Sequence, residues 1–237
     1  MHGELFQSKT VSTDEGHWLS VTDLMAGLMV IFLLISVALM NRTDIEKRAI
    51  ERIAVKISEK QLEIHRALEV EFKDDFKRWE ISFDEQRPLS IDFNADRYKF
   101  TPGYSALPGQ LTLVLDEFFP RYLNVLEPYR KEIKAIQIEG HTSSGWNNDD
   151  SELNAYYKNM NLSQRRSTRL FDYIIAKEAP LNKHLYWLRG KLSAIGYGPS
   201  NLIFSENNTE DKERSRRISF QVIADSDIIM KDILEAQ

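Results

Sequence analysis

The sequence predicts an α+β protein with a single N-terminal transmembrane helix, a helical spacer and a C-terminal folded domain. Three observations support this. Residues 24–40 are apolar and uncharged, residues 44–87 contain no glycine or proline, and apolar alternation with Pro and Gly punctuation begins at Pro88. The first pattern is typical of a membrane span, the second of a helix and the third of strands joined by turns.

The apolar segment extends to residues 19–41, close to the roughly 20 residues that cross the hydrocarbon of a bilayer. A cleaved signal peptide is the first alternative, because Ser36 to Ala38 loosely resembles a cleavage site. The segment is long for a signal sequence, and Lys9 is the only Lys or Arg before it. A buried helix of a soluble domain is a weaker alternative at this length.

Asp23 lies on the first turn of the predicted span. A carboxylate near mid-bilayer costs about 2.5–3.5 kcal/mol on insertion scales, so such a residue usually faces a protein cavity or an ion path. Desolvation favours the protonated carboxyl, which would allow Asp23 to take up and release protons. The alternative is an interfacial helix-capping aspartate.

The spacer, residues 42–88, repeats apolar residues at helical intervals between Ile50 and Trp79. Its first part would suit a short coiled coil or a helix docked on a partner. Residues 44–57 are amphipathic, which suggests the hypothesis that they plug an ion channel at rest. The tail at 1–18 precedes the span.

The folded domain, residues 89–237, is predicted to have the order β-α-β-α-β, followed by a last strand. The strands are expected at 89–93, 133–138, 192–195 and 218–222, and the helices at 111–126 and 162–176.

Composition excludes several classes of function. The formal charge of −5 gives no basic surface for a phosphate backbone, so nucleic acid is not an expected partner. The chain has no cysteine, and its five histidines lack metal-ligand spacing. No phosphate loop, dinucleotide turn or nucleophile elbow is present. We therefore expect no enzymatic activity, no cofactor and no metal.

Five segments resemble, in sequence order, the landmarks of the OmpA-like peptidoglycan-binding domain. They are Phe100 to Leu107, Ile138 to Thr142, Asn159 to Arg166, Gly196 to Gly198 and Arg216 to Ile218. Each is weak alone, and together they cover about residues 89–224.

The resemblance implies a peptidoglycan site formed by Asn159, Leu162, Arg166, Thr142 and Ser143. In the family, the arginine that matches Arg166 holds the carboxylate of a peptide-stem diamino acid, which suits the fork of a guanidinium. From the sequence, Ser163 or Asn161 is expected to cap a helix that opens at Leu162, placing its positive dipole end beside Arg166.

One position departs from the family. The family has Thr-Asp after the second strand, where the aspartate meets the ammonium group of the ligand. This chain has Thr142 and the neutral Ser143, followed by an insertion. Either Asp149 or Asp150 folds back to supply the charge, or the contact with the wall is altered.

The Asp-containing span, the spacer and the wall-binding domain together resemble MotB-type stator subunits. The short tail, the entry at residues 22–25 and the divergent domain are most similar to the ZorB subunits of Zorya anti-phage systems. This resemblance implies a dimer inside a ring of five polytopic MotA-like (ZorA-type) subunits in the bacterial inner membrane. Protons passing Asp23 would turn the ring against the cell wall.

The topology that this implies is a cytoplasmic N-terminus and a periplasmic C-terminal domain. The basic residues Arg42, Lys47 and Arg48 after the span weakly favour the opposite orientation. The sequence leaves open a flagellar MotB-type stator, an ExbD- or TolR-like energy transducer and a passive tether between inner membrane and cell wall. It also leaves open proton or sodium as the ion.

Overall fold

The structure, a computed structural model, describes residues 14–98, 100–147, 150–177 and 183–228, with side chains from residue 21 onward. Helices alternate with strands after one long N-terminal helix. The helices are α1 (Asp14–Phe72), α2 (Asp75–Trp79), α3 (Gly109–Leu126), α4 (Glu152–Ala176), α5 (Leu185–Leu188) and α6 (Lys212–Ser215). The strands are β1 (Ile81–Phe83), β2 (Ser90–Asn94), β3 (Ile133–His141), β4 (Leu192–Gly198) and β5 (Arg217–Ala224).

The chain divides into two compact units, Met1–Arg52 and Ile53–Gln237. In the first unit, α1 presents large apolar side chains on every side, for example Leu24 at 75% exposed and Phe32 at 68%. A helix that is apolar all round is typical of a membrane span. Among the described residues, α1 is the helix that is long and apolar enough to cross a membrane.

The second unit contains a five-stranded sheet in the order β1-β2-β5-β3-β4. All neighbouring strands are antiparallel except β3 and β4, which are parallel and are joined through α4. Along β2 and β5, apolar and polar residues alternate, so that Ile91, Phe93 and Phe220 point to one face. The predicted alternation of strands and helices is therefore confirmed.

An aromatic cluster forms the centre of the core. The ring of Phe118 on α3 lies 5.0 Å from that of Phe93 and 5.1 Å from those of Phe220 and Tyr122, measured between centroids. Aromatic pairs at this distance contribute beyond the area that they bury. The cluster fixes α3 on the apolar face of the sheet.

The C-terminal end of α1 belongs to this core rather than to a spacer. Ile64, Leu68 and Phe72 are fully buried, and Phe72 lies 4.9 Å from Phe118 between ring centroids. The compact unit therefore begins at Ile53, well before the predicted boundary at residue 89. The helical spacing of the apolar residues was predicted correctly, but spacing alone does not say which partner a helix face packs against.

Arg121 on α3 holds the end of α1 in place. Its Nε lies 2.6 Å from Oε1 of Glu71, its Nη1 lies 2.7 Å from Oδ2 of Asp75, and its Nη2 donates to the carbonyl of Glu71. The guanidinium also lies 4.9 Å from the ring of Phe72. The helix predicted over 44–87 is interrupted after Phe72 and resumes as α2, which ends at Trp79. It is followed by β1, a short strand that was not predicted.

Helix α4 begins at Glu152, ten residues before the predicted opening at Leu162. Ser151 is its N-cap, and its hydroxyl accepts a hydrogen bond from the backbone N–H of Asn154. The proposed caps Asn161 and Ser163 lie in the middle of the helix, where they donate to the carbonyls of Tyr157 and Met160. Polar side chains often satisfy themselves in this way inside helices, which makes them ambiguous in a sequence.

Candidate functional site

Arg166 lies on α4 with only 6% of its surface exposed. Its Nε donates to the carbonyl of Tyr104 at 3.1 Å and its Nη2 to the carbonyl of Thr101 at 3.4 Å. The guanidinium lies 4.6 Å from the centroid of the Phe100 ring. Nη1 makes no hydrogen bond to any residue that the structure describes. One loop therefore fixes the guanidinium of Arg166, and its Nη1 group remains available as a hydrogen-bond donor.

The electrostatic surroundings of Arg166 are unusual for a buried cation. Burial lowers its pKa to about 10, while Asp96 opposes the shift and Arg216 adds to it. The guanidinium remains charged at neutral pH. Buried charges are normally paired with an opposite charge, but the hydrogen bonds of Arg166 go to backbone carbonyls. The site therefore favours an incoming anion.

Arg216 forms an ion pair with Asp96, the carboxylate that opposes the fall in the pKa of Arg166. Nε of Arg216 lies 2.9 Å from Oδ1 and 3.1 Å from Oδ2 of Asp96. Nη1 of Arg216 also reaches the hydroxyl of Ser143 at 3.5 Å. The neutral Ser143 therefore contacts Arg216, a cation that is already paired with Asp96.

A second carboxylate, that of Glu210, contacts the loop that follows Ser143. The backbone N–H of Ser144 donates to Oε1 of Glu210 at 2.9 Å, and the hydroxyl of Ser144 donates to Oε2. Glu210 makes no salt bridge with any basic residue in the described part of the chain. Glu210 is far from residue 144 in the sequence, and no motif marks either it or Asp96.

Asn159 positions the loop at residues 144–145. Its side chain is buried, and Nδ2 donates to the carbonyls of Ser144 at 3.3 Å and Gly145 at 3.1 Å. Both amide hydrogens are therefore used within the protein. Asn159 and Arg166 are two turns apart on α4, so the helix ties the loop to the arginine.

Thr142 and Leu162 are also buried at this place. The backbone N–H of Thr142 donates to the carbonyl of Gly198 at 3.0 Å, while its hydroxyl has no hydrogen-bond partner among the described residues. A buried hydroxyl without a partner costs about 1–3 kcal/mol unless a ligand or water satisfies it. Leu162 is 4% exposed and carries no polar group to offer a ligand.

One prediction about the site is wrong, and one of the open alternatives is not favoured. Arg166 does not lie beside a helix N-terminus, because α4 opens about four turns before it. The alternative that Asp150 supplies the charge is disfavoured, since both of its carboxylate oxygens accept from Nζ of Lys158, at 2.7 and 2.9 Å. Asp149 lies outside the described residues.

Asp23 lies on α1 and its side chain is exposed in the single chain. Within the part of the chain that the structure describes, no three His, Asp or Glu residues come together as a metal site would require. Glu139 and His141 form a separate buried pair, 3.1 Å apart, on the other face of the sheet.

Comparison with known proteins gives the family. The chain is 37% identical over 222 residues to the Zorya protein ZorB of Escherichia coli strain Crooks, covering 94% of each chain. The chain belongs to the ZorB family. The ZorB resemblance recognised in the sequence is thereby confirmed, although no family model matches the chain.

Solved structures are also similar to this ZorB-family chain. A MotB-like protein of Desulfovibrio vulgaris is 18% identical, with 73% of this chain and 99% of that one covered and a TM-score of 0.49. The periplasmic domain of Helicobacter pylori MotB is also 18% identical, with coverages of 62% and 84% and a TM-score of 0.40. The α+β fold class rests on the sheet and helices of this chain itself.

Proposed function

We propose that this ZorB-family chain is the peptidoglycan-anchored stator subunit of a proton-driven rotary motor in the bacterial inner membrane, serving anti-phage defence. Residues 1–18 lie in the cytoplasm, 19–41 cross the membrane, and the remainder is periplasmic. Two copies stand inside a ring of five polytopic MotA-like subunits. Membership in the ZorB family supports the proposal, as does the single apolar helix before the folded unit.

The proposal of wall binding rests on the buried Arg166, which forms no ion pair with a carboxylate in the described part of the chain. Desolvating a guanidinium costs free energy that backbone carbonyls only partly recover, so the apo site gains by binding an anion. Nη1 is available for this contact, and charge-assisted bonds to a carboxylate are about twice as strong as neutral ones. The carboxylate of a peptide-stem diamino acid in peptidoglycan fits this need.

The ammonium group of the same ligand requires a negative partner. Ser143 cannot supply it, and Asp150 is engaged by Lys158. Glu210 is the better candidate than Asp96, because Ser144 orients it with two hydrogen bonds and it has no salt bridge among the described residues. Asp96 is already neutralised by Arg216. Thr142 and Ser143 then line the site between the two charges.

Asp23 carries the ion in the proposed motor. Protonation neutralises its carboxyl and allows the helix to move against the surrounding ring, and release of the proton towards the cytoplasm restores the charge. One proton crossing 100 mV yields about 2.3 kcal/mol, so several are needed for a large conformational signal. The wall contact converts this motion into torque because it prevents the stator from rotating.

Sedimentation with purified peptidoglycan tests the wall contact. Arg166→Ala in the full chain should abolish co-sedimentation, and Arg166→Lys should weaken it, since lysine lacks the planar fork. The matched control is Arg165→Ala, the exposed neighbour on the same helix. Equal retention of Arg166→Ala and Arg165→Ala by the wall would refute this assignment.

The role of Glu210 as the partner of the ammonium group is tested separately. Glu210→Gln should reduce binding to peptidoglycan whose stem carries a free amine, with little effect on peptidoglycan whose amine has been acetylated. A loss that is the same for both wall preparations would contradict the role of Glu210 as the ammonium partner.

A further inference from the structure

The face of the sheet opposite the aromatic core is polar and largely buried. The register places Asp92 of β2 beside Ser219 of β5, and Ser219 beside Glu139 of β3. Ser90 and Gln221 form the adjacent pair. All five side chains are polar, yet each is at most 9% exposed.

A cleft of about 710 Å³ opens over this polar face. It lies between the loop that joins β1 to β2 and the loop at 199–204. Its polar lining includes Asp84, Arg87, Asp92, Asn94, Asn201 and Arg217. The volume is within the range of about 300–1,000 Å³ that is usual for ligand pockets.

The charges of the cleft are internally paired. Nε of Arg217 lies 3.1 Å from Oδ2 of Asp92, and Nη1 of Arg87 lies 2.5 Å from Oε2 of Glu139. Arg87 also contacts Asp84. A charged ligand would therefore meet a group of its own charge beside each group of opposite charge, which disfavours its binding. A neutral ligand with hydroxyls can instead donate to the carboxylates and accept from the guanidinium groups.

Apolar side chains line the same cleft. Phe204 is 54% exposed, which is unusual for a phenylalanine in a folded domain, and Phe83 and Leu202 also belong to the lining. An exposed aromatic ring beside polar groups can pack against the C–H face of a sugar ring, as aromatic rings do with other flat apolar surfaces.

Buried polar atoms near the cleft floor are not satisfied by the protein. Within the described residues, Nη2 of Arg87, Nε of Arg217 and the hydroxyl of Ser219 are buried and have no partner with hydrogen-bond geometry. Buried polar groups nearly always have a partner, so those that lack one mark places where a bound molecule or ordered water belongs. Ser219 lies directly beside Asp92, which lines the cleft.

We propose that this cleft binds an uncharged sugar, namely a sugar ring of the glycan strand of peptidoglycan. The identity of the glycan rests on the proposed wall-binding function, whereas the preference for a neutral polyhydroxylated ligand rests on the cleft alone. The site is separate from Arg166, which does not line the cleft. The folded unit would then hold the wall at two places, through its peptide stem and through its glycan.

The test is a titration of the full chain with chitotetraose, an uncharged oligomer of N-acetylglucosamine without peptide, in a detergent that has no sugar headgroup. Wild type should bind it, and Phe204→Ala should weaken binding at least tenfold. Asn201→Ala, which keeps the backbone carbonyl that accepts from Arg217, should also weaken it. The control is Tyr186→Ala, an aromatic residue that is 96% exposed and outside the cleft.

A parallel titration with a stem tripeptide that ends in a diamino acid separates the two proposals. Arg166→Ala should abolish tripeptide binding and leave chitotetraose binding unchanged. Failure of the tripeptide to bind wild type would contradict the proposed stem contact but not the sugar site. Failure of chitotetraose to bind wild type, equal losses in Phe204→Ala and Tyr186→Ala, or displacement of the sugar by the tripeptide would overturn the sugar site.

Discussion

Replacing Phe72 by alanine tests whether the end of α1 is part of the folded domain. The side chain is fully buried and packs on Phe118, 4.9 Å away between ring centroids, and on Trp79 at 6.2 Å. The guanidinium of Arg121 covers it at 4.9 Å. Truncation removes these contacts together and leaves a cavity in the aromatic cluster.

The expected cost follows from the burial. A phenylalanine truncated in a packed core costs about 3–5 kcal/mol. For a domain of this size, each kcal/mol lowers the melting temperature by about 2–4 °C, which gives a total of about 6–20 °C. Near-ultraviolet circular dichroism of the purified full chain in detergent measures the transition, because it reports the packing of the aromatic rings.

The matched control is Val70→Ala, two residues earlier on the same helix and 77% exposed. An exposed substitution of this kind usually changes stability by less than about 0.5 kcal/mol. A melting temperature lowered by neither substitution would show that the helix end is a spacer, as first predicted from the sequence. An equal loss in both variants would contradict the selective burial of Phe72.

Two further substitutions test the packing and the buried charges of the domain. Gly196→Ala should destabilise by about 1–3 kcal/mol, since a Cβ there would lie 2.3 Å from the backbone nitrogen of Gln164; Gly190→Ala, with open space around it, is the control in the same thermal measurement, and equal effects would contradict the close contact. Burial lowers the pKa of His141 despite its hydrogen bond to Glu139, so the unfolded chain binds the proton more readily and stability should fall as pH drops below about 6.5. Urea unfolding at pH 7.5 and 5.5 measures this loss, which His141→Gln should reduce; an unchanged pH dependence in that variant would show that another group causes it.

The strands and the main helix of the core could be predicted because each pattern is local. Alternation around Ile91 and the periodicity of residues 111–126 reflect which side chains face the core, and the structure places both elements within two residues of the prediction. The start of α4 could not be predicted correctly, because Asn161 and Ser163 are typical of caps but are satisfied inside the helix.

The candidate site was predicted only in part. Arg166 and Asn159 were found because both belong to one family motif, Asn159 to Arg166. Asp96 and Glu210 were missed because their roles depend on the loops that bring them to Arg216 and Ser144. Such contacts join residues distant in sequence, and a single carboxylate in a polar loop carries no local pattern. The same reason explains why the sequence left the choice between Asp149, Asp150 and an altered contact open.

The proposed motor depends most directly on an ionisable group at residue 23. The decisive measurement is the efficiency of phage plating on cells that carry the whole native operon, comparing wild type with Asp23→Asn and Asp23→Glu at matched protein levels. The account predicts that protection is lost with asparagine and at least partly restored with glutamate. Protection that is unchanged by asparagine would contradict the motor and leave a passive tether between membrane and cell wall.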